Sequence, residues 1–449
     1  MKTRRIFIIL LAAFIAVSIS GCLGISADEL YSLPRASEEY LRLQRHIDDI
    51  LDAGAEYSPP TSGPNRHVIQ FEDLTGNGIN EIIAFFSVPG ESTLKIYIFE
   101  MVDGDYEIAA VIEGVGTGIE SIRYVDMTGD GIMELVVGWQ MGAALKHMSI
   151  YSIRDFHPVL LAGADYAEIT VYDLNGDGTC DVVLLRLPTP EIGAVAEVFT
   201  LMPDGEMVSR ETRLSNGIEA ISRVLTGSLS DGVPAIFVDS EGRFDDGGIV
   251  TDILAFQDGS FTNVSIVSPS GISENTVRER IHSADIIGDG VIKVPIPRRL
   301  LAQSETDYYA IDWYTFSSEG RIRLALTTYH NYFDDWFLIL PFDWRGRVSV
   351  RREDAVPGER TVVFSYIGGA DGPFEDFLKI HMLTGDIGRP RADLPGRVVL
   401  RNETAAIYAF ELLAEPNSFR LTFDEALIEE SFRLIYTDWT TDEENGGTY

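Results

Sequence analysis

The sequence predicts a mainly β fold, a β-propeller-like array of about five four-stranded repeats with a smaller C-terminal α+β unit. Three observations lead to this prediction. A nine-residue segment rich in Asp and Gly recurs three times without a gap. Short runs of Val, Ile, Phe and Tyr alternate with turns rich in Gly, Asp and Asn, as antiparallel hairpins require. The repeats recur roughly every fifty residues, which suits one four-stranded blade.

The first 21 residues have the three parts of a secretory signal. Three basic residues precede an apolar run over 6–17, which is too short to cross a hydrocarbon core that needs roughly 20 residues. Ile19-Ser20-Gly21-Cys22 resembles the bacterial lipobox, and this resemblance implies cleavage before Cys22 and lipidation of its sulfur. The alternative is an ordinary signal peptide that ends near a cysteine. We expect a protein anchored by lipid to the extracytoplasmic face of the cell membrane.

The charge excludes one class of partner. The chain carries −35, and removal of the signal with its three basic residues leaves −38. Such a charge repels phosphate backbones and attracts divalent cations, so nucleic acid is not an expected partner. Cys22 and Cys180 are the two cysteines, and lipidation of the first leaves no intrachain disulfide.

The residue composition changes several times along the chain and suggests five segments. We expect a signal peptide over 1–21, then a lipidated cysteine, a helix and a Pro-rich spacer over 22–65, the repeats over 66–332, a β-rich or α+β unit over 333–441, and a disordered tail over 442–449. The spacer is either a stalk or part of a helix packed on the propeller rim. In the C-terminal unit we expect a helix over Thr422–Trp439. Residues 333–385 are alternatively a divergent sixth blade.

The repeat is clearest at 73–81, 126–134 and 173–181, with a degraded copy at 285–293 and a faint one at 227–232. In the first repeat we expect strands over 81–88, 94–101 and 106–112, and a final strand over 120–125. A string of β-sandwiches is the competing architecture, but it does not explain one loop that recurs at a regular spacing.

The repeated loop has the chemistry of a calcium site. In the third copy, oxygen-bearing side chains stand at positions one, three, five and nine, and the glycines between them permit tight curvature. Together with the main-chain carbonyl of position seven, they supply most of the six to eight oxygens that calcium typically takes at about 2.3–2.6 Å. An EF-hand is excluded because Leu184 stands where a bidentate Glu is needed.

This loop resembles that of the FG-GAP or VCBS-type repeats of integrin α-subunit propellers and bacterial surface proteins, over roughly residues 66–329. The resemblance implies three calcium sites. Their residues are Asp173, Asn175, Asp177, Thr179 and Asp181; Asp126, Thr128, Asp130, Ile132 and Glu134; and Asp73, Thr75, Asn77, Ile79 and Glu81. Two loops depart from the family pattern because they carry Thr at position three.

The acidic side chains number three in the third loop, three in the second and two in the first, and we expect calcium affinity in that order. The fourth loop has Ile287 at position three and Lys293 at position nine, so we expect Lys293 to bridge Asp285 and Asp289 in place of a metal. The alternative for every loop is a hydrogen-bonded turn in which the first Asp caps main-chain amides.

A second candidate site is the segment 329–336, where Tyr329 and Trp336 flank the carboxylates of Asp334 and Asp335. Aromatic faces beside carboxylates are typical of sugar-binding clefts, and paired carboxylates also perform glycoside hydrolysis. The alternative is strand aromatics beside an exposed turn. No histidine pair has metal-ligand spacing, and no phosphate loop or nucleophile elbow is present.

These observations favour a non-catalytic binding or scaffold lipoprotein that presents a ligand surface to a protein or glycan. A surface hydrolase or lyase acting on polysaccharide is the alternative, and it depends on segment 329–336. A third hypothesis is a sensing or assembly protein whose C-terminal unit docks another envelope protein.

Overall fold

The computed structural model describes residues 38–88, 93–243, 248–266, 281–301, 306–368, 372–415, 419 and 421–436. The signal, Cys22 and the acidic tail lie outside the described residues. The fold class is confirmed, since the described residues are mainly β and form six antiparallel sheets of four or five strands. Within the described residues, no helix has the length and apolar character needed to span a membrane.

The chain divides into two compact units. One comprises Met1–Pro59, His67–Glu72 and Ile79–Gly114, and the other comprises Pro60–Arg66, Asp73–Gly78 and Val115–Tyr449.

The first unit contains helix α1, Glu38–Asp52, and the first sheet. The strands of this sheet are β1 Glu56–Tyr57, β2 Ile69–Glu72, β3 Glu81–Val88, β4 Thr93–Val102 and β5 Asp105–Glu113. Leu43 and Ile47, one helical turn apart, are buried in one cluster with Ala84 and Phe86 of β3. The helix therefore packs on the sheet.

The second unit contains five sheets. The second to fourth sheets each join four consecutive strands in chain order. Their strands are β6 Gly118–Val125, β7 Glu134–Gln140, β8 Lys146–Ser152 and β9 Val159–Tyr166; β10 Glu168–Tyr172, β11 Asp181–Arg186, β12 Val195–Leu201 and β13 Met207–Arg213; and β14 Ile218–Ser228, β15 Pro234–Gly242, β16 Ile249–Gln257 and β17 Ser260–Asn263.

The fifth and sixth sheets have five strands each, and the sixth has the order β22-β23-β24-β26-β25. Their strands are β18 Val294–Arg299, β19 Tyr309–Phe316, β20 Ile322–Asn331, β21 Trp336–Leu340 and β27 Phe432–Leu434; and β22 Val348–Val356, β23 Glu359–Ile367, β24 Phe374–Leu383, β25 Arg397–Asn402 and β26 Ile407–Leu412. The further helices of this unit are α2 Gly388–Ala392 and α3 Glu425–Ser431.

Successive sheets of the second unit stack face to face. Leu184 of β11 lies in one buried cluster with Val136 of the second sheet, whereas the next residue, Leu185, lies in another with Ile236 of the fourth sheet. Adjacent residues of a strand point to opposite faces, so each apolar strand serves two interfaces. Similar clusters join the fourth sheet to the fifth and the fifth to the sixth. This stacking is the propeller-like arrangement that the repeats predict.

Two expectations about segment placement were wrong. Strand β6 pairs with β7 and opens the second sheet, although we assigned 120–125 to the first repeat. Residue 333, at the expected boundary, lies in the turn between β20 and β21, which are both strands of the fifth sheet. The helix expected over Thr422–Trp439 is α3 alone, because the next residues pair with β21 as β27. Residues 437–439 lie outside the described residues.

Candidate metal-binding loops and the aromatic turn

The four Asp/Gly loops occupy equivalent places in their sheets. In each, the residue before position one pairs antiparallel with position nine. The four pairs are Glu72 with Glu81, Val125 with Glu134, Tyr172 with Asp181, and Ala284 with Lys293. One geometry is therefore reused four times.

Glycines at positions four and six give the loops their shape. All eight adopt left-handed backbone angles, with φ between 71° and 91°, a region in which only glycine is free of strain. A Cβ at Gly76 of the first loop would overlap the carbonyl oxygen of Gly131 in the second. A Cβ at Gly129 would lie 3.3 Å from the Thr179 methyl group of the third loop. Neighbouring loops of the second unit therefore lie against one another.

The first Asp of each loop caps main-chain amides. Asp173 accepts hydrogen bonds from the amides of Gly176, Asp177 and Gly178 at 2.8, 3.1 and 2.9 Å. Asp73, Asp126 and Asp285 accept from amides at matching positions. These bonds hold the loop in one conformation and are the interactions expected of a turn.

Position nine is buried in every loop. Glu81, Glu134 and Asp181 are 1, 0 and 1 % exposed. Asp181 accepts from the Leu174 amide at 3.2 Å and from the Thr200 hydroxyl at 2.5 Å, so both of its oxygens have a donor. An acid so placed is costly to ionise unless donors or a cation compensate.

Glu134 is only partly compensated. Its Oε2 accepts from the Met127 amide at 3.2 Å, but its Oε1 is buried and has no hydrogen-bond partner. Burial raises the pKa of Glu134 to about 7 despite the Met127 amide and the charge of Arg154, and the charges of Asp130 and Asp126 add to the rise. A cation in the second loop would find this oxygen available.

Lys293 supplies a cation to the fourth loop. Its side chain is 2 % exposed, and its Nζ donates to Asp289 Oδ1 at 2.6 Å and to the Val291 carbonyl at 2.8 Å. The ammonium also lies 3.7 Å from Asp285 Oδ1. These oxygens are those of positions five, seven and one, which are three of the positions assigned to calcium in the other loops.

The donor set of the first three loops fits calcium in kind, since every side-chain donor is a hard oxygen. In the third loop, the other side-chain oxygens that could bind calcium accept local hydrogen bonds. Asn175 accepts from the Asp177 amide, and Asp177 accepts from the amide and hydroxyl of Thr179. In the part of the chain that the structure describes, no three His, Cys, Asp or Glu side chains converge as a metal site. The carboxylates of Asp173 and Asp177 accept hydrogen bonds from amide and hydroxyl groups of their own loop.

The candidate residues of segment 329–336 separate. The rings of Tyr329 and Trp336 lie in the core between the fifth and sixth sheets, 5 and 1 % exposed. Asp334 is buried and forms an ion pair with Arg360, whose Nε lies 2.5 Å from Oδ1 without hydrogen-bond alignment. Of the four, only Asp335 is exposed. The buried rings cannot serve as a surface platform for a sugar.

Two features were missed by sequence reasoning. The guanidinium groups of Arg352 and Arg360 lie over the exposed ring of Phe333, at 4.4 and 4.7 Å from its centroid. Arg154 donates to Asp130 of the second loop. No local pattern predicts either contact, because the partners lie far apart in the chain.

Comparisons with known proteins leave the chain without a family. No family model and no curated protein matches it. Among solved structures, it is similar to a protein from Lactobacillus plantarum, at 10 % identity and TM-score 0.28, covering 72 % of this chain and 95 % of that one. A structure described as the Dos1 propeller has 9 % identity and TM-score 0.27, with 79 and 81 % covered. A functionally unknown protein from Desulfotomaculum acetoxidans DSM 771 has 13 % identity and TM-score 0.26, and the match covers 70 % of this chain and 86 % of that one.

Proposed function

We propose that this protein is a lipoprotein of the cell envelope, anchored through Cys22 on the extracytoplasmic face, that acts without catalysis as a binding or scaffold protein. Its FG-GAP/VCBS-type loops hold calcium, and its stacked sheets present a surface to a protein or glycan ligand. The charge of −35 suits this role, since acidic loops at one end of stacked sheets repel one another unless cations intervene.

The contacts of Lys293 carry the calcium proposal. In the fourth loop an ammonium group lies among the oxygens of positions one, five and seven. The first three loops share the same glycine angles and the same strand pairing but have an acid at position nine. In these three loops no ammonium group comes from position nine, so a calcium ion from solution would bind the same oxygens.

Calcium would be held in the third loop by Asp173, Asn175, Asp177, Asp181 and the carbonyl of Thr179. The corresponding residues would hold it in the second and first loops. When bound, the ion would neutralise the carboxylates of the loop. The loop residues themselves fix the turn, and the amide bonds to Asp173 orient the carboxylate.

Calorimetric titration of calcium into the full-length protein in detergent tests this proposal. We expect saturable binding that falls by one site when Asp173 and Asp177 are both replaced by Asn, which preserves shape but removes charge. A matched Asp285→Asn, Asp289→Asn variant of the fourth loop should leave calcium binding unchanged. Absence of binding at millimolar calcium would identify the loops as turns only.

The anchor and the ligand need separate tests. Cys22→Ser should release the protein from the membrane fraction and abolish incorporation of labelled fatty acid. Arrays of glycans and cell-wall fragments should reveal a ligand that the calcium-loaded protein retains. The hydrolase or lyase alternative receives less support, because Tyr329 and Trp336 are buried and Asp334 is paired with Arg360.

A further inference from the structure

Arg154 reaches the second loop from another turn of the same sheet. The loop joins β6 to β7, and Arg154 lies between β8 and β9. Alternate turns of an antiparallel sheet lie at the same end, so these two turns are neighbours. The Arg154 guanidinium donates to Asp130 at position five of the loop.

The charge of Arg154 acts on the whole loop. Asp130, Glu134 and Asp126 all interact with it electrostatically, and these are the three acids that the second loop offers to a cation. The third loop differs, because within the described residues Asp173, Asp177 and Asp181 form no salt bridge with a lysine or arginine. The second and third loops therefore have the same number of acidic side chains, but only the second is paired with a basic side chain of the described residues.

The second loop nevertheless retains a cation-binding feature that Arg154 does not use. Glu134 is fully buried, and its Oε1 has no hydrogen-bond partner. The guanidinium satisfies the outer carboxylate of Asp130, which is 37 % exposed, and leaves the inner carboxylate oxygen of Glu134 without a hydrogen-bond donor. Unlike Lys293, Arg154 is itself 47 % exposed and free to withdraw into solvent.

We infer that Arg154 is a built-in competitor for the second loop: its guanidinium holds Asp130 in the metal-free protein and is displaced when calcium binds. This inference rests on the proposed calcium function. The second loop is then a weaker calcium site than the third, for a reason that acidic charge alone does not predict. The three kinds of loop form a series, with an ammonium buried in the fourth, a displaceable guanidinium at the second and, among the residues that the structure describes, no ion-paired basic side chain at the third.

The test uses full-length protein in which the first and third loops are silenced by Asp73→Asn and Asp173→Asn. In this background we expect Arg154→Gln to tighten calcium binding by about two- to fivefold in calorimetry, the range for release of one exposed ion pair. Arg154→Lys should retain most of the competition. Arg186→Gln, which removes an arginine paired with Glu197 and Glu211 on the third sheet, controls for the general change in charge.

A second readout is independent of affinity. In chelator, Arg154→Gln should lower the melting temperature, because the loop acids lose their counter-charge. In saturating calcium the difference from the parent should vanish. A circular dichroism spectrum in chelator identifies a variant that has failed to fold, in which case Arg154→Lys and Arg154→Gln are compared in the otherwise native chain.

The outcomes separate the two proposals. If the second loop of Arg154→Gln binds calcium with equal or weaker affinity than the parent, Arg154 is not a competitor. The calcium proposal is then unaffected. Binding in Arg154→Gln but not in the parent supports the competitor in its strongest form. Failure of every variant and of the native chain to bind calcium overturns both proposals together.

Discussion

Lys293 Nζ lies 2.6 Å from Asp289 Oδ1, and the lysine side chain is almost completely buried. The same ammonium donates to the Val291 carbonyl at 2.8 Å. Despite burial, the hydrogen bond from Lys293 holds the pKa of Asp289 below its usual value. The expectation that Lys293 bridges Asp285 and Asp289 therefore agrees with the geometry of the fourth loop.

Removal of this ammonium should destabilise the protein. We expect Lys293→Met to lower the free energy of unfolding by about 1–3 kcal/mol, less than the full effect of breaking a buried pair because Asp289 is half exposed. Urea denaturation measures the change. Lys95→Met, which removes a looser pair with Glu113 at 3.8 Å, should change stability by less than about 1 kcal/mol. Equal effects of the two substitutions would contradict a special role for Lys293.

Replacement of the lysine by an acid should create a metal site. In Ile287→Asn, Lys293→Asp the fourth loop gains the oxygens of positions three and nine that the third loop has. We expect one additional calcium per chain in calorimetry and a calcium-dependent rise in melting temperature. Ile287→Asn, Lys293→Met removes the ammonium without adding the acid and is the matched control. If both double variants respond alike to calcium, position nine does not govern the cation.

The ion pair of Asp334 and Arg360 should couple strongly in a double-mutant cycle. Arg360→Gln leaves a buried carboxylate without its counter-charge and should cost about 2–4 kcal/mol. Addition of Asp334→Asn should recover part of that loss, although Asn331 also donates to Asp334 at 2.8 Å. Denaturant unfolding of the four proteins gives the coupling energy. Additive effects would show that the contact contributes little.

His330 should make stability depend on pH. Burial lowers the pKa of His330 to about 3, and its ring stacks on Phe337 at 5.0 Å. Because the unfolded chain takes up this proton more readily, the stabilising contribution is complete above about pH 6.5 and is lost as pH falls toward 3. Between pH 7 and pH 5, His330→Phe should lose about 1–2 kcal/mol less stability than the native chain.

Urea unfolding at a series of pH values measures this difference. His67→Gln is the control, because it removes an exposed histidine and leaves the buried imidazole of His330 in place. Parallel pH profiles for His330→Phe and the native chain would mean that folding does not shift the pKa of His330.

Sequence reasoning succeeded where the signal is local. The strand at 81–88 and the loops at 73–81, 126–134, 173–181 and 285–293 follow from residue types within a few positions, and the structure places all of them as turns or strands. Partner choice is not local. Strand β6 has the same composition whichever sheet it joins, so its pairing with β7 was not predictable from its residues.

The burial of Tyr329 and Trp336 was not predictable for a related reason. Tyr329 lies near the end of β20 and Trp336 begins β21, and the local sequence does not indicate which face of the sheet is covered. The sixth sheet covers it, with Phe364 packing edge-on against Tyr329 at 5.4 Å. Arg154 and Asp130 are 24 residues apart, and their contact follows from the return of the chain to the same end of the sheet.

The close approach of Gly76 to Gly131, and of Gly129 to Thr179, has an evolutionary consequence. A side chain acquired at Gly76 would collide with the adjoining loop rather than with its own, and one acquired at Gly129 would crowd Thr179 of the next. Mutational drift at these two corners is therefore limited by the neighbouring repeat as well as by the positive φ of the glycine itself.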